Sequence, residues 1–169
     1  MTRDVASRLH AATKTDVFVL PEASHNKDTM YVPGTDGAKM SKSKGNIIDI
    51  FQTDKKLRKQ IMGIQTASTP IEEPMDTEGC NVLSLYNLLA TPEQVDVLKE
   101  NYKRPDFGYG HAKQALFEVI SDTYSEQRES YSHYMANPQE IDSALKIGAQ
   151  KAREVANKTL SRVKKVTGY

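Results

Sequence analysis

The pattern of the chain changes at Ile47, and that change constrains the fold more than any other feature. Before it, residues 21–46 collect Pro, Gly, Asn, Asp, Ser and Lys, with Pro33-Gly34 and Asp36-Gly37 as turn signals. The segment reads as a long loop, and long loops in compact proteins are usually functional or disordered. After it, apolar residues recur at helical spacing, first Ile50, Leu57, Ile61 and Ile64, then Val82, Leu85, Tyr86 and Leu89. Thr91-Pro92-Glu93-Gln94 offers an N-cap, a proline at the first helical position and a capping-box glutamine, ahead of Val95 and Leu98. Gly108-Tyr109-Gly110 punctuates before a run predicted helical over about 111–135, with Ala115, Leu116, Val119, Ile120 and Tyr131 on its apolar side. Asn137-Pro138-Gln139-Glu140 repeats the capping pattern and opens a last helix, with Ile141, Leu145, Gly148, Ala152, Val155 and Val163 expected to face inward. The region after residue 48 is therefore predicted to be all-α, with the loop marking a domain boundary.

The N-terminal stretch reads differently. Val5 and Leu9 lie four apart, as on one face of a short helix, and Val17-Phe18-Val19-Leu20 is a buried-strand candidate stopped by Pro21. A helix feeding a strand suggests part of an α/β layer. Such a strand needs neighbours, because a separated one leaves its backbone donors and acceptors unpaired.

With 169 residues and 38% apolar content, the chain can bury one ordinary core, or a helical domain with a smaller piece attached. No apolar run approaches the roughly 20 residues of a membrane span, and Met1-Thr2-Arg3-Asp4 does not open a signal peptide, which places the chain in the cytoplasm. The single cysteine, Cys80, cannot form an internal disulfide or build a zinc site alone, so no structural metal is expected. His10, His25 and His133 lack partners at metal-ligand spacing and are read as surface or packing residues. The formal charge of +1 hides an uneven division. Residues 39–62 hold seven Lys/Arg against two acids, 63–137 five against twelve, and 138–169 seven against three. Two basic zones flank an acidic middle, and basic zones attract phosphate, although a solvated helix face explains any one of them. Lys158, Arg162, Lys164 and Lys165 in particular could contact an RNA backbone or simply complement a helix C-terminus.

One segment implies a mechanism. Lys39-Met40-Ser41-Lys42-Ser43-Lys44 places three lysines and two serines in six positions, followed by Gly45-Asn46. Lysine carries a compact charge on a flexible stem, which suits a polyphosphate whose charge moves during reaction. Serine hydroxyls and backbone amides add neutral donors, and nearby glycines would let the loop close and reopen, so it is expected to be mobile. A Lys/Ser-rich segment alone is most often an exposed loop without a ligand. The pentapeptide Lys39–Ser43, however, should arise by chance in such a chain only on the order of one time in ten thousand.

That pentapeptide matches in full the second signature of class I aminoacyl-tRNA synthetases, and the rest of the chain resembles the tryptophanyl-tRNA synthetase family. Thr2-Arg3-Asp4-Val5-Ala6 resembles that family's helix before the loop, and Phe18-Val19-Leu20-Pro21-Glu22 the segment after it. Asn81-Val82-Leu83, Gly108-Tyr109-Gly110-His111-Ala112-Lys113 and Gly148-Ala149-Gln150-Lys151-Ala152 look like its helix starts and its closing segment. The resemblance spans nearly the whole chain. It implies a mainly α chain, α+β overall: residues 1–48 as the end of a Rossmann-type catalytic domain with the lysine loop, and 49–169 as an α-helical anticodon-binding domain. It also implies activation of tryptophan by ATP with Mg2+ as substrate, transfer to tRNA-Trp, and a homodimeric parent. By the same resemblance Lys39 and Lys42 are the catalytic lysines on the β- and γ-phosphates. Ser41 and Ser43 support them, Met40 anchors the loop near the adenosine, and the Met30 backbone contacts adenine.

Two departures stand out. The family's other signature, of the His-Ile-Gly-His type, does not precede the loop, so the chain reads as a piece of a longer protein and is expected to be inactive alone. His111 follows the loop and reads as a helix-start or packing residue. Lys44-Gly45-Asn46 stands where many bacterial members carry acidic residues. The alternatives are a tyrosyl-tRNA synthetase fragment, which shares the lysine loop, and a non-catalytic helical RNA-binding module.

Overall fold

The computed structural model describes residues 1–25, 31–70 and 73–169. Among them it has seven α-helices and no named strand. These are α1 (Thr2–Thr13), α2 (Asp54–Met62), α3 (Asn81–Asn87), α4 (Pro92–Tyr102), α5 (Tyr109–Thr123), α6 (Ser125–Ala136) and α7 (Pro138–Thr167). The chain separates into two compact units, one of residues 26–132 and one of residues 1–25 with 133–169.

The first unit holds the core. Leu57 and Ile61 of α2, Val82 of α3, Tyr102 of α4 and Leu116 of α5 are completely buried. These are the positions that the three- and four-residue spacing puts on one face of each helix. The main packing is of α2 and α3 on α5, with α4 against α3. Polar contacts fix the α2–α5 register: Arg58 donates to Gln114 Oε1 at 3.0 Å, and the Lys113 ammonium donates to the Met62 carbonyl at 3.1 Å. The latter puts a cation where the last turn of α2 leaves carbonyls unpaired. Burial holds the Lys113 ammonium below its usual range. The Thr91 cap forms as its sequence suggests: Thr91 Oγ1 accepts from the Gln94 amide at 3.3 Å while Gln94 Oε1 accepts from the Thr91 amide at 2.9 Å.

Four expectations need correction. Residues 17–20 form no strand: Val17 is buried, but Val19 is 95% exposed, and among the described residues there is no sheet to receive their backbone groups. The run over 111–135 is two helices, broken at Tyr124, whose φ of −107° and ψ of 17° leave the helical region. Ser125 Oγ there donates to the Asp122 carbonyl at 3.0 Å, a side-chain bond that competes with the helical ladder. Asn137 does not cap α7 with its side chain, because Asn137 Nδ2 instead donates back to the His133 carbonyl at 2.9 Å. The apolar positions of α7 are not inward: among the described residues none of that helix is buried, and Leu145 and Val155 are 63% and 68% exposed. No described helix is long and apolar enough to cross a membrane.

Candidate functional site

The segment from Tyr31 to Asn46 is built almost wholly by backbone and amide hydrogen bonds. Two short antiparallel arms are joined by the turn at 34–37. The Met40 amide donates to the Val32 carbonyl at 2.9 Å, Pro33 and Lys39 form an isolated bridge, and the Gly34 amide donates to the Ala38 carbonyl at 2.7 Å. Asp36 Oδ1 accepts from the Ala38 amide at 3.0 Å, a turn that aspartate forms readily. Beyond Met40 the chain makes a single 3-10 turn over Lys42–Lys44, closed by Gly45 in the left-handed region.

Asn46 lies inside this frame and is only 3% exposed. Asn46 Oδ1 accepts from the Ser41 amide at 2.8 Å, and Asn46 Nδ2 donates to Asp36 Oδ1 at 2.7 Å and to the Lys39 carbonyl at 3.2 Å. The Asn46 carbonyl accepts from the Thr35 amide at 2.9 Å, and the Thr35 carbonyl accepts from the Gln65 amide at 2.7 Å, tying the frame to the segment after α2. Its bond to Asn46 is the main reason the Asp36 carboxyl sits below its ordinary range, and the charge of Lys44 adds to this. Glycine is required twice. A Cβ on Gly34 would press into Asn46, 2.6 Å from its carbonyl oxygen, and Gly37, at φ +79°, has Asn81 where its Cβ would be, 2.7 Å from Nδ2.

The lysines lie outside the frame. Lys39, Lys42, Ser43 and Lys44 are exposed, and among the described residues no carboxylate pairs with the three ammonium groups. The Lys42 and Ser43 amides have no acceptor among the described residues, and Ser41 Oγ and Ser43 Oγ lie 2.8 Å apart. Positive charge, two hydroxyls and free amides therefore meet on one solvent-facing turn, a donor set suited to an anion with several oxygens. Met40 turns the other way. With Val32, Ile48 and Ile50 it lines an apolar cavity of about 300 Å3 that is also lined by Leu85 of α3, Leu89 just beyond that helix and Ile120 of α5. Val32, Ile48 and Ile50 pack against the helical core. Met30 lies outside the described residues.

The remaining candidates are structural. His111 Nδ1 accepts from the Gly108 amide at 3.2 Å, and its ring stacks on Phe107 with centroids 5.3 Å apart, which is a helix-start role. Cys80 precedes α3, buried, with Sγ 3.4 Å from the Tyr102 hydroxyl. His10 Nε2 accepts from the Phe18 amide at 3.0 Å. Tyr131 packs on Phe51, with ring centroids 4.7 Å apart.

The family model for tRNA synthetases class I (W and Y) matches residues 1–125, which include the whole lysine loop. This chain belongs to that family. Among the synthetases it resembles are the tryptophan--tRNA ligase of Campylobacter jejuni (strain RM1221), 38% identical over 96% of this chain and 51% of that protein, and that of Fusobacterium nucleatum, 38% identical over 99% and 51%. The crystal structure of tryptophanyl-tRNA synthetase from C. jejuni complexed with ADP and tryptophan superposes with a TM-score of 0.85 at 38% identity. It covers 99% of this chain and 52% of that one. The chain therefore spans about half the length of the synthetases it matches. Its mainly helical architecture is that of the corresponding part of a tryptophanyl-tRNA synthetase.

Proposed function

We propose that this chain is the C-terminal part of a tryptophanyl-tRNA synthetase and supplies the loop that binds the triphosphate of ATP. Residues 1–48 are then the end of a Rossmann-type catalytic domain and residues 49–169 a helical anticodon-binding domain that takes tRNA-Trp. The proposed reaction begins when a tryptophan carboxylate oxygen attacks the α-phosphorus of ATP. The bond to the β-phosphate bridging oxygen breaks and pyrophosphate leaves with that electron pair. A ribose hydroxyl of the terminal adenosine of the tRNA then attacks the carbonyl carbon of the tryptophanyl-adenylate, the bond to the phosphate oxygen breaks, and AMP leaves. Lys39 and Lys42 would hold the β- and γ-phosphates as charge accumulates on the leaving group, with Ser41 and Ser43 as neutral donors. Mg2+ would arrive with ATP as part of the substrate.

The observation that carries this reading is the exposed Lys39–Lys42 segment, its ammonium groups without a carboxylate partner among the described residues, standing on a hydrogen-bonded frame. Its companion is the level of identity to tryptophan enzymes over nearly the whole chain. The parent is proposed to be a cytoplasmic homodimer whose other half carries the His-x-Gly-His signature and most of the amino-acid pocket. The chain alone should not aminoacylate.

Amino-acid-dependent exchange of pyrophosphate into ATP tests this, run on the longer parent protein and on this chain side by side. Exchange with tryptophan in the parent, lost with Lys42→Ala and absent from the chain alone, is the expected result. Exchange with tyrosine instead would move the assignment to the sister enzyme. No exchange with either by a folded parent would leave an RNA-binding module as the better reading.

A further inference from the structure

We propose that Asn46 is the positioning residue of the phosphate loop, its buried side-chain amide holding the backbone of Lys39 to Ser41 in the form that presents the two lysines together. The proposal rests on the reading of Lys39 and Lys42 as phosphate ligands and adds a residue that touches no substrate. Asn46 is the one buried polar side chain among the described residues, and each of its amide atoms is used. Oδ1 takes the Ser41 amide, while Nδ2 serves both the Lys39 carbonyl and Asp36 Oδ1. One side chain thus closes the pentapeptide from behind, on both sides of Met40, and fastens it to the turn at 34–37. The absent side chain at Gly34 lets the Asn46 amide come this close.

The chemistry needed is that of an amide and no other group of this size. An acceptor must face Ser41 and a donor must face Asp36 and Lys39 at the same time. An aspartate would keep the first contact and lose the others, placing two carboxylates in a 2.7 Å contact. Such a pair cannot both ionise there, so it takes up a shared proton. The charged groups acting on that contact are Asp36 itself and Lys44. Neutral groups behind the loop do the ordering, and among the described residues no carboxylate takes up the charge of Lys39 or Lys42.

The test uses the 169-residue chain with inorganic tripolyphosphate as the probe. Affinity is followed through the amide resonances of residues 39–43, and loop order through the exchange protection of the Ser41 amide. Asn46→Asp at neutral pH should lower both by roughly tenfold to a hundredfold, the consequence of leaving buried partners unmatched, with α5 amides unchanged. Ser41 protection in that variant should return on acidification as the shared proton binds, whereas Asn46→Ala should show no such recovery. The double replacement Asn46→Asp with Asp36→Asn restores a donor–acceptor match across that contact while leaving the Lys39 carbonyl without its donor, and should regain part of the loss. Unchanged Ser41 protection and affinity in Asn46→Asp would overturn the proposal. If Asn46→Asp unfolds the helices, the double replacement decides: recovery of folding without phosphate affinity makes Asn46 merely structural, and recovery of both upholds it. Failure of the unaltered chain to bind tripolyphosphate, with Ser41 still protected, would instead sink the phosphate reading and leave Asn46 as the organiser of the turn alone.

Discussion

The lysine loop and the helical core stand next to each other in sequence and are stabilised by opposite means. The core, from α2 to α5, is ordered by apolar burial: Leu57, Ile61, Val82, Tyr102 and Leu116 are wholly removed from solvent. The loop contributes little apolar burial beyond Val32 and Pro33. It is held by the Val32–Met40 and Gly34–Ala38 backbone bonds and by the Asn46 amide, while Lys39, Lys42, Ser43 and Lys44 stay exposed. Apolar burial contributes in proportion to area and tolerates motion poorly in a close-packed interior, whereas a few hydrogen bonds each contribute only about 1 kcal/mol and can exchange with water or ligand. On the proposed function, a loop that grips and releases a polyphosphate is expected to be ordered by the second means and set on the first. The two meet at Val32, which packs on the core, and at Met40, which lines the apolar cavity beside α3 and α5.

The largest expected effect breaks the core without touching the loop chemistry. Leu116→Ala should lower stability by about 2–5 kcal/mol through lost burial and the cavity left behind, read as a shift of the chemical-denaturation midpoint. Lys42→Ala is the reverse case. It should cost roughly 10²–10³ in pyrophosphate-exchange rate in the parent, while thermal unfolding of this chain moves by no more than about 0.5 kcal/mol. An equal loss of stability in that variant would show that the lysine is part of the scaffold. Gly37→Ala tests the seam between the regions. The left-handed backbone and the Asn81 contact should make it cost about 1–2 kcal/mol or more, seen first as lost amide protection in residues 34–41 and only afterwards in α3. The smallest effect is Thr91→Ala, which removes one reciprocal cap of α4 and should cost about 1 kcal/mol. Calorimetry should place that loss in the core transition, with tripolyphosphate affinity unchanged.

Much of the helical core is legible in the order of its residues. Leu57 and Ile61, Val82 and Leu85, and Leu116 and Ile120 lie at spacings that only a helix brings to one face, and the Thr91 capping box is a local arrangement written in four residues. The lysine pentapeptide is equally legible, but through its exact match to a family signature, since its residue types suit a polyphosphate without requiring one. What spacing and composition do not show has a common cause. Val17-Phe18-Val19-Leu20 has a strand's composition, but a strand exists only through the neighbour that accepts its backbone. The apolar positions of α7 have an amphipathic period, but a period does not supply the surface that covers it. The break at Tyr124 depends on a serine hydroxyl choosing a carbonyl over solvent, which spacing does not show. Asn46 reads only as a departure from an acidic pattern, because the atoms that give it meaning belong to Asp36, Lys39 and Ser41 and reach it only after the chain has turned.

Local residue order is therefore enough to set which core segments are helical, which face of each is apolar, and that a cationic loop of phosphate-binding composition precedes them. These follow from spacing and from side-chain chemistry, which need no partner. Folding alone leaves the lysines exposed, puts Met40 at the apolar cavity, and brings Gly34 and Asn46 into one tight contact. Those are relations between groups brought together by hydrogen bonds and packing across the chain, and no local pattern encodes them.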